Sequence, residues 1–161
     1  MTGTRIGIGY DIHPLIPERR LILGGVEIQF SQGLEGWSDA DVLTHAIIDS
    51  ILGAAAMGDI GKYFPPGKPE YRDISSLEML KQVNSKVSAK GWRVVNIDST
   101  VIAEQPVLKD HIDSMREKLS HTLSLDIEKV SVKASTANGL GEIGKVEAIA
   151  AMVVTMIGRE D

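Results

Sequence analysis

The chain has 161 residues, 43% apolar and 24% charged, with no cysteine. That length suits one domain, residues 1–161, able to bury a core without staples, and the composition excludes collagen-like or disordered character. Without cysteine any metal must take His, Asp, Glu or backbone oxygen, and a net charge of −5 excludes a general electrostatic pull toward nucleic acid or anionic membrane.

The opening "MTGTRIGIGY" lacks a basic stretch followed by an apolar core, so no signal peptide is expected. No apolar run reaches the roughly 20 residues of a membrane-spanning helix. A cytoplasmic protein without membrane partners is the expectation. Arg5 to Tyr10 alternates as a strand that ends at "GYDIHP", and "RRLILGGVEIQF" reads as a hairpin turning at Gly24-Gly25. In "GWSDADVLTHAIIDSILGAAAMGDIG", Ser38 is a suitable N-cap, with Asp39 and Asp41 in the first turn. Val42, Ala46, Ile47, Ile51 and Ala54 keep helical spacing, and Gly58 would end the helix.

"FPPGKPEYRDI" is a Pro/Gly-rich loop. A second helix is predicted over Ser75 to Lys90, a strand at "RVVNIDSTVIAEQP", a third helix over Leu108 to Leu123 and a strand at "KVSVKAST". The closing "VEAIAAMVVTMI" is apolar at nearly every position, the pattern of a strand covered on both faces, by helices on one and a neighbouring subunit on the other. The order βββααβαββ implies an α+β domain with a mixed sheet and helices on one face.

Asp11 and His13, two apart on a strand, project to one side and form part of a metal grip that needs a third ligand. Asp41, His45 and Asp49 share one helical face, which makes His45 the natural third ligand, with Asp41 or Asp49 as its orienting acceptor. Two imidazoles and a carboxylate suit Zn2+ with one position open. A solvated polar strand end is the plainer reading. His111 and His121, without clustered partners, read as surface histidines. Ser135, Thr136 and Asn138, with Lys145 further on, suit a phosphate cradle, or an ordinary hairpin connection. In "GDIG", Gly58 to Gly61, the acid can take ribose hydroxyls or cap a chain reversal.

In this order, "RIGIGYDIHP", "LILGGVEI", "SDADVLTHAIIDSILGAAAMGDIGKYFP", "VNIDSTVIAEQP" and "VSVKAST" resemble the methylerythritol cyclodiphosphate synthases of non-mevalonate isoprenoid biosynthesis, over nearly the whole chain. The resemblance implies a homotrimer with active sites between subunits. It implies conversion of 4-diphosphocytidyl-2-C-methyl-D-erythritol 2-phosphate to a cyclic diphosphate plus CMP. Zn2+ would sit on Asp11, His13 and His45, and Mg2+ or Mn2+ on the diphosphate near Asn138.

By the same resemblance, Asp59, Ile60 and Gly61 hold the ribose, and Ala103, Glu104, Gln105, Pro106, Val107, Leu108 and Lys109 frame cytosine. Ser38, Ser135, Thr136 and Ala137 contact phosphate, Thr136 as transition-state stabiliser. Ile12 lies between the ligands, and Phe64, Pro65, Pro66, Gly67 and Lys68 form a loop over the methylerythritol end. Several residues depart from the family pattern. Trp37 replaces a His assigned to phosphate contact and catalysis, keeping one N–H donor but no titratable charge. Asn138 replaces a Glu, Lys145 an Arg and Glu142 an aromatic residue; Pro66 and Lys68 replace loop acids. Two other readings compete. One is a zinc phosphohydrolase; the other is a zinc-bearing protein that binds a nucleotide or isoprenoid diphosphate with little turnover.

Overall fold

The computed structural model describes residues 3–159. Strand β1 (Thr4–Pro17) is long, β2 (Leu21–Leu23) and β3 (Val26–Ile28) form the expected hairpin, and β4 (Gln32–Leu34) follows. Helices α1 (Val42–Ala54), α2 (Ile60–Tyr63) and α3 (Ser76–Ser88) come next. Then β5 (Arg93–Ile102), α4 (Ile112–Leu123), β6 (Val130–Ser135), α5 (Gly141–Gly144) and β7 (Ala148–Gly158) complete the chain. The main sheet runs β4-β1-β7-β5-β6, antiparallel except for the β5–β6 pair. This is the mixed sheet expected, with β4 and the one-turn helices α2 and α5 added to the predicted order.

Three boundaries differ from the sequence reading. First, β1 does not end at Pro14. It pairs with β7 as far as Pro14↔Ala148, then with β4 from Leu15↔Leu34. The proline, which has no N–H to give, sits where the strand changes neighbours. Second, the cap of α1 is Asp41, not Ser38. Ala40 adopts a left-handed φ of 57°, which delays the helix. The Asp41 carboxylate accepts from Thr44 N (3.0 Å) and Thr44 Oγ1 (2.7 Å), and also from Gly24 N (2.9 Å) and Gly25 N (2.7 Å). One buried side chain thus ties the hairpin turn to the helix start. Third, α1 ends at Ala54, before Gly58, and α4 is preceded by a 3-10 turn, Lys109–His111.

Helix α1 lies on the sheet face to which Gly7 and Gly9 point. A Cβ on Gly9 would stand 1.8 Å from the Ala46 carbonyl oxygen, and one on Gly7 1.9 Å from that of Ser50. Only glycine permits this approach. Helices α3 and α4 extend the same layer, closing a core around Leu43, Ile47, Ile51, Leu80 and Leu119. The opposite face is bare in the single chain: Ile6, Ile8, Tyr10, Ile12, Met152 and Val154 are exposed. The last strand is therefore covered on one face only here. No helix among the described residues is long and apolar enough to cross a membrane.

Candidate functional site

Alternation along β1 puts Asp11 and His13 on the same side as Gly7 and Gly9, facing α1. The close approach at Gly9 brings His45, the neighbour of Ala46, to that row. Asp11 Oδ2 then lies 2.9 Å from His13 Nε2 and 3.1 Å from His45 Nδ1. One ligand atom from each of the three falls within 4.8 Å of the others, and this is the one such group of three or more among the described residues. Burial pushes the Asp11 carboxyl up, but hydrogen bonds to both imidazoles overcome it and hold the group well below the usual carboxylate range. Burial pushes His13 down; the Asp11 carboxylate outweighs this and raises it.

The outer partners fix which ring nitrogen is turned to Asp11. His13 Nδ1 meets the Glu35 carbonyl, which can only accept, so Nδ1 carries a hydrogen, and Nε2, hydrogen-bonded to the Asp11 carboxylate, is the nitrogen a metal would take on losing its own. On the far side of His45, Nε2 meets Ser76 Oγ at 2.9 Å and Ser38 Oγ at 3.2 Å. Ser76 Oγ donates to the Asp39 carboxylate, which also takes Ser76 N–H at 2.9 Å. The Ser76 oxygen is left as an acceptor, so His45 carries a hydrogen on Nε2, and Nδ1, hydrogen-bonded to the Asp11 carboxylate, is the nitrogen a metal would take. Two ring nitrogens and a carboxylate converge, a donor set that could hold a metal ion.

The expected orienting acids are thus replaced. Asp41 is committed to the helix cap, and Asp49 accepts from Ile60 N at 2.7 Å. Burial raises the Asp49 carboxyl, with the charges of Asp59 and Asp11 adding. Asp39, Ser76 and the Glu35 carbonyl were missed by the sequence reading. Asp39 sits in a quoted motif, but nothing linear points to Ser76.

The triad lines a cavity of about 220 Å3 with Trp37, Ser38, Ile60, Gly61, Phe64, Pro66, Tyr71, Ile74 and Met79. Asp59 is not on its wall; its carboxylate caps α2 through Lys62 N at 3.0 Å. The indole N–H of Trp37, expected toward phosphate, donates to the Lys68 carbonyl at 2.9 Å.

The second cluster forms a separate cavity of about 360 Å3, lined by Ala103, Glu104, Pro106, Val107, Leu108, Lys109, Ile112, Ala134, Ser135 and Thr136. It lies at the same end of the sheet: Ile12 pairs with Ala150, Ala150 with Ile102, and Ile102 with Ser135. Three strand spacings, about 14 Å, separate the two. The backbone donors of the cradle are taken, since Glu104 Oε2 accepts from Ala137 N (3.2 Å) and Gly139 N (3.3 Å). Thr136, Asn138, Glu142 and Lys145 are exposed, and Asn138 holds a left-handed φ of 53° that asparagine tolerates. His121 is exposed as expected, whereas His111 is half-buried beside the start of α4.

A family model, the YgbB family, matches residues 4–158. The 2-C-methyl-D-erythritol 2,4-cyclodiphosphate synthase of Dehalococcoides mccartyi strain CBDB1 is 54% identical over 153 residues, covering 95% of this chain and 98% of that protein. That of Synechococcus elongatus is 49% identical over 160 residues, 99% of this chain and 100% of the relative. Among solved structures, Plasmodium falciparum IspF in complex with CDP has a TM-score of 0.87 at 33% identity, covering 99% of this chain and 98% of that one. The bifunctional IspDF of Campylobacter jejuni has a TM-score of 0.96 at 39% identity, and the match covers 100% of this chain and 44% of that longer protein. With a family model spanning nearly its full length and relatives matching end to end, the chain belongs to the YgbB family, alongside the 2-C-methyl-D-erythritol 2,4-cyclodiphosphate synthases.

Proposed function

We propose that this chain converts 4-diphosphocytidyl-2-C-methyl-D-erythritol 2-phosphate to 2-C-methyl-D-erythritol 2,4-cyclodiphosphate and CMP. The observation that carries the reading is the converging triad of Asp11, His13 and His45 on a cavity wall, in a chain that matches the synthases end to end. An oxygen of the substrate's own 2-phosphate attacks the β-phosphorus, a new P–O–P bond forms, and the bond to the CMP oxygen breaks. The attacking phosphate is already ionised near neutral pH, so the chain needs no strong general base. Its work is positioning a flexible polyanion for in-line displacement.

Asp11, His13 and His45 would hold Zn2+. When bound, zinc supplies Lewis-acid charge to a phosphate oxygen, and Mg2+ or Mn2+ neutralises the diphosphate. The Ser38 hydroxyl, beside His45, and the Thr136 hydroxyl, just past the end of β6, would donate to phosphate. Asp59, Ile60 and Gly61 would meet the ribose. The apolar wall of Val107 and Leu108 with the polar groups of Glu104 and Lys109 suits a pyrimidine. We read the active assembly as a homotrimer with the two cavities contributed by neighbouring copies. Their separation on one chain and the bare apolar sheet face support this.

The test is 31P NMR of the purified protein with this substrate, Zn2+ and Mg2+. Two coupled signals of a cyclic diphosphate appearing with CMP are expected. Linear phosphates would point to a hydrolase, and unchanged substrate with zinc bound would count against any turnover. The synthase names of the full-length relatives speak against the binding-only reading.

A further inference from the structure

The wall of the triad cavity includes a loop that leaves α2 at Phe64 and returns to α3 through Ile74. Phe64, Pro66, Tyr71 and Ile74 all face the cavity from it. Its return end is anchored by backbone: Asp73 N donates to the Trp37 carbonyl at 2.9 Å, and Asp39 N to the Ile74 carbonyl at 3.1 Å. Its middle is tied differently. Among the described residues, the only hydrogen bond reaching residues 65–72 from outside the loop is from Trp37 Nε1 to the Lys68 carbonyl, at 2.9 Å. The same carbonyl accepts Tyr71 N at 3.1 Å, closing a 3-10 turn over Pro69–Tyr71. That turn sets the Tyr71 ring edge-on to Phe64, with centroids 5.4 Å apart. The Arg72 guanidinium stands 6.0 Å from the Trp37 ring. At Gly67 the loop is open: a Cβ built there would meet no atom within 4 Å.

We propose that Trp37 is a positioning residue for the cyclisation, latching the 64–74 loop over the triad cavity through its indole N–H and ring. The proposal deepens the synthase reading and rests on it for its kinetic half. With its one N–H committed to Lys68, the Trp37 indole has no donor left for phosphate. It acts by holding Tyr71 and Phe64 in place as cavity wall before substrate arrives. Such pre-organisation is felt equally by bound substrate and transition state, so its loss raises KM and spares kcat.

Two variants separate the parts: Trp37→Phe keeps a ring and deletes the N–H, and Trp37→Ala deletes both. Trp37 is 39% exposed, so neither threatens the core. In the zinc-loaded protein, exchange of the Tyr71, Arg72 and Asp73 amides should speed up roughly three- to tenfold in Trp37→Phe, the loss of about one net hydrogen bond. The increase should be larger in Trp37→Ala, with α1 amides unchanged in both. KM should rise severalfold with kcat held within about twofold. Unchanged loop exchange in both variants would overturn the latch. A fall in kcat at constant KM would overturn it in favour of direct contact with the reacting phosphate. If the wild-type chain shows no turnover, the synthase reading fails, while the exchange data still decide whether the latch exists.

Discussion

The two cavities share one end of the sheet but are built in opposite ways. Around Asp11, His13 and His45 the orienting groups come from regular elements and most are at least partly buried: a strand, a helix pressed onto glycines, and a buried serine held by an aspartate, with the Glu35 carbonyl the exposed one. Around Thr136 and Asn138 the side chains are exposed on a loop at the sheet edge, braced by Glu104 accepting two backbone N–H groups. The difference teaches which half of the chemistry is finished when one chain folds. The three residues that could hold a metal ion already converge in a single chain. The second cluster is a surface, which under the proposed function would meet substrate and, in the proposed trimer, a neighbour.

The strongest way to break the contrast is at the packing that makes the first region rigid. Gly9→Ala drives a methyl into the Ala46 carbonyl, and should cost about 3 kcal/mol in denaturant unfolding together with zinc binding. Should that variant keep wild-type stability and zinc, the close approach would not be what positions His45. Next, His45→Ala should abolish stoichiometric zinc and lower CMP release by roughly 10^2- to 10^3-fold, while leaving the fold intact by circular dichroism. Full activity in this variant would remove His45 from the ligand set.

A subtler probe leaves the ligands alone. Ser76→Ala frees Nε2 of His45 from its tautomer-fixing acceptor, and should weaken zinc affinity about 10- to 100-fold in a chelator competition. Glu104→Gln sharpens the comparison from the other side. It should leave zinc affinity unchanged and weaken CDP binding by roughly tenfold or less, measured by calorimetry, because the amide oxygen can still accept both N–H groups but without the charge that strengthened them. The smallest effect concerns Lys133, whose hydrogen bond holds the Asp98 carboxyl below its ordinary 3.8. A depressed carboxyl stabilises the fold above the unfolded value, and that contribution is lost as pH falls through the folded one. Lys133→Ala should therefore cost under about 1 kcal/mol near pH 6, less in high salt, and almost nothing once the pH lies below the lowered folded value.

Much of the metal centre was legible in the linear pattern because it obeys two local periods. Asp11 and His13 follow the two-residue alternation of a strand, and His45 stands at helical spacing between Asp41 and Asp49. What connects them to their surroundings obeys no period. The Glu35 carbonyl is backbone and has no letter of its own. Ser76 is one of a pair of serines at a helix start, and only the folded path of residues 37–39 along 73–76 gives it a partner. The capping error has a like origin: in "SDAD" three residues can cap, and the left-handed turn at Ala40 decides among them. The continuation of β1 past Pro14 escaped notice because a proline reads as a stop unless the strand is known to change neighbours there. Trp37 was read as a donor to phosphate, whereas its indole gives its hydrogen to the Lys68 carbonyl, 31 residues away on a loop.

The seating of α1 on β1 also constrains how this chain can vary. The atoms that a side chain at position 9 would strike are main-chain atoms, the Ala46 carbonyl and the Ser50 nitrogen, which every amino acid but proline shares. Exchanging residue 46 for a smaller one would leave that oxygen where it is. A defect at Gly9 therefore has no second-site suppressor at the position it clashes with, and a screen for revertants should return glycine itself or shifts of the whole helix. The metal grip inherits this rigidity: its geometry is held by a contact that no compensating pair of side chains can trade away.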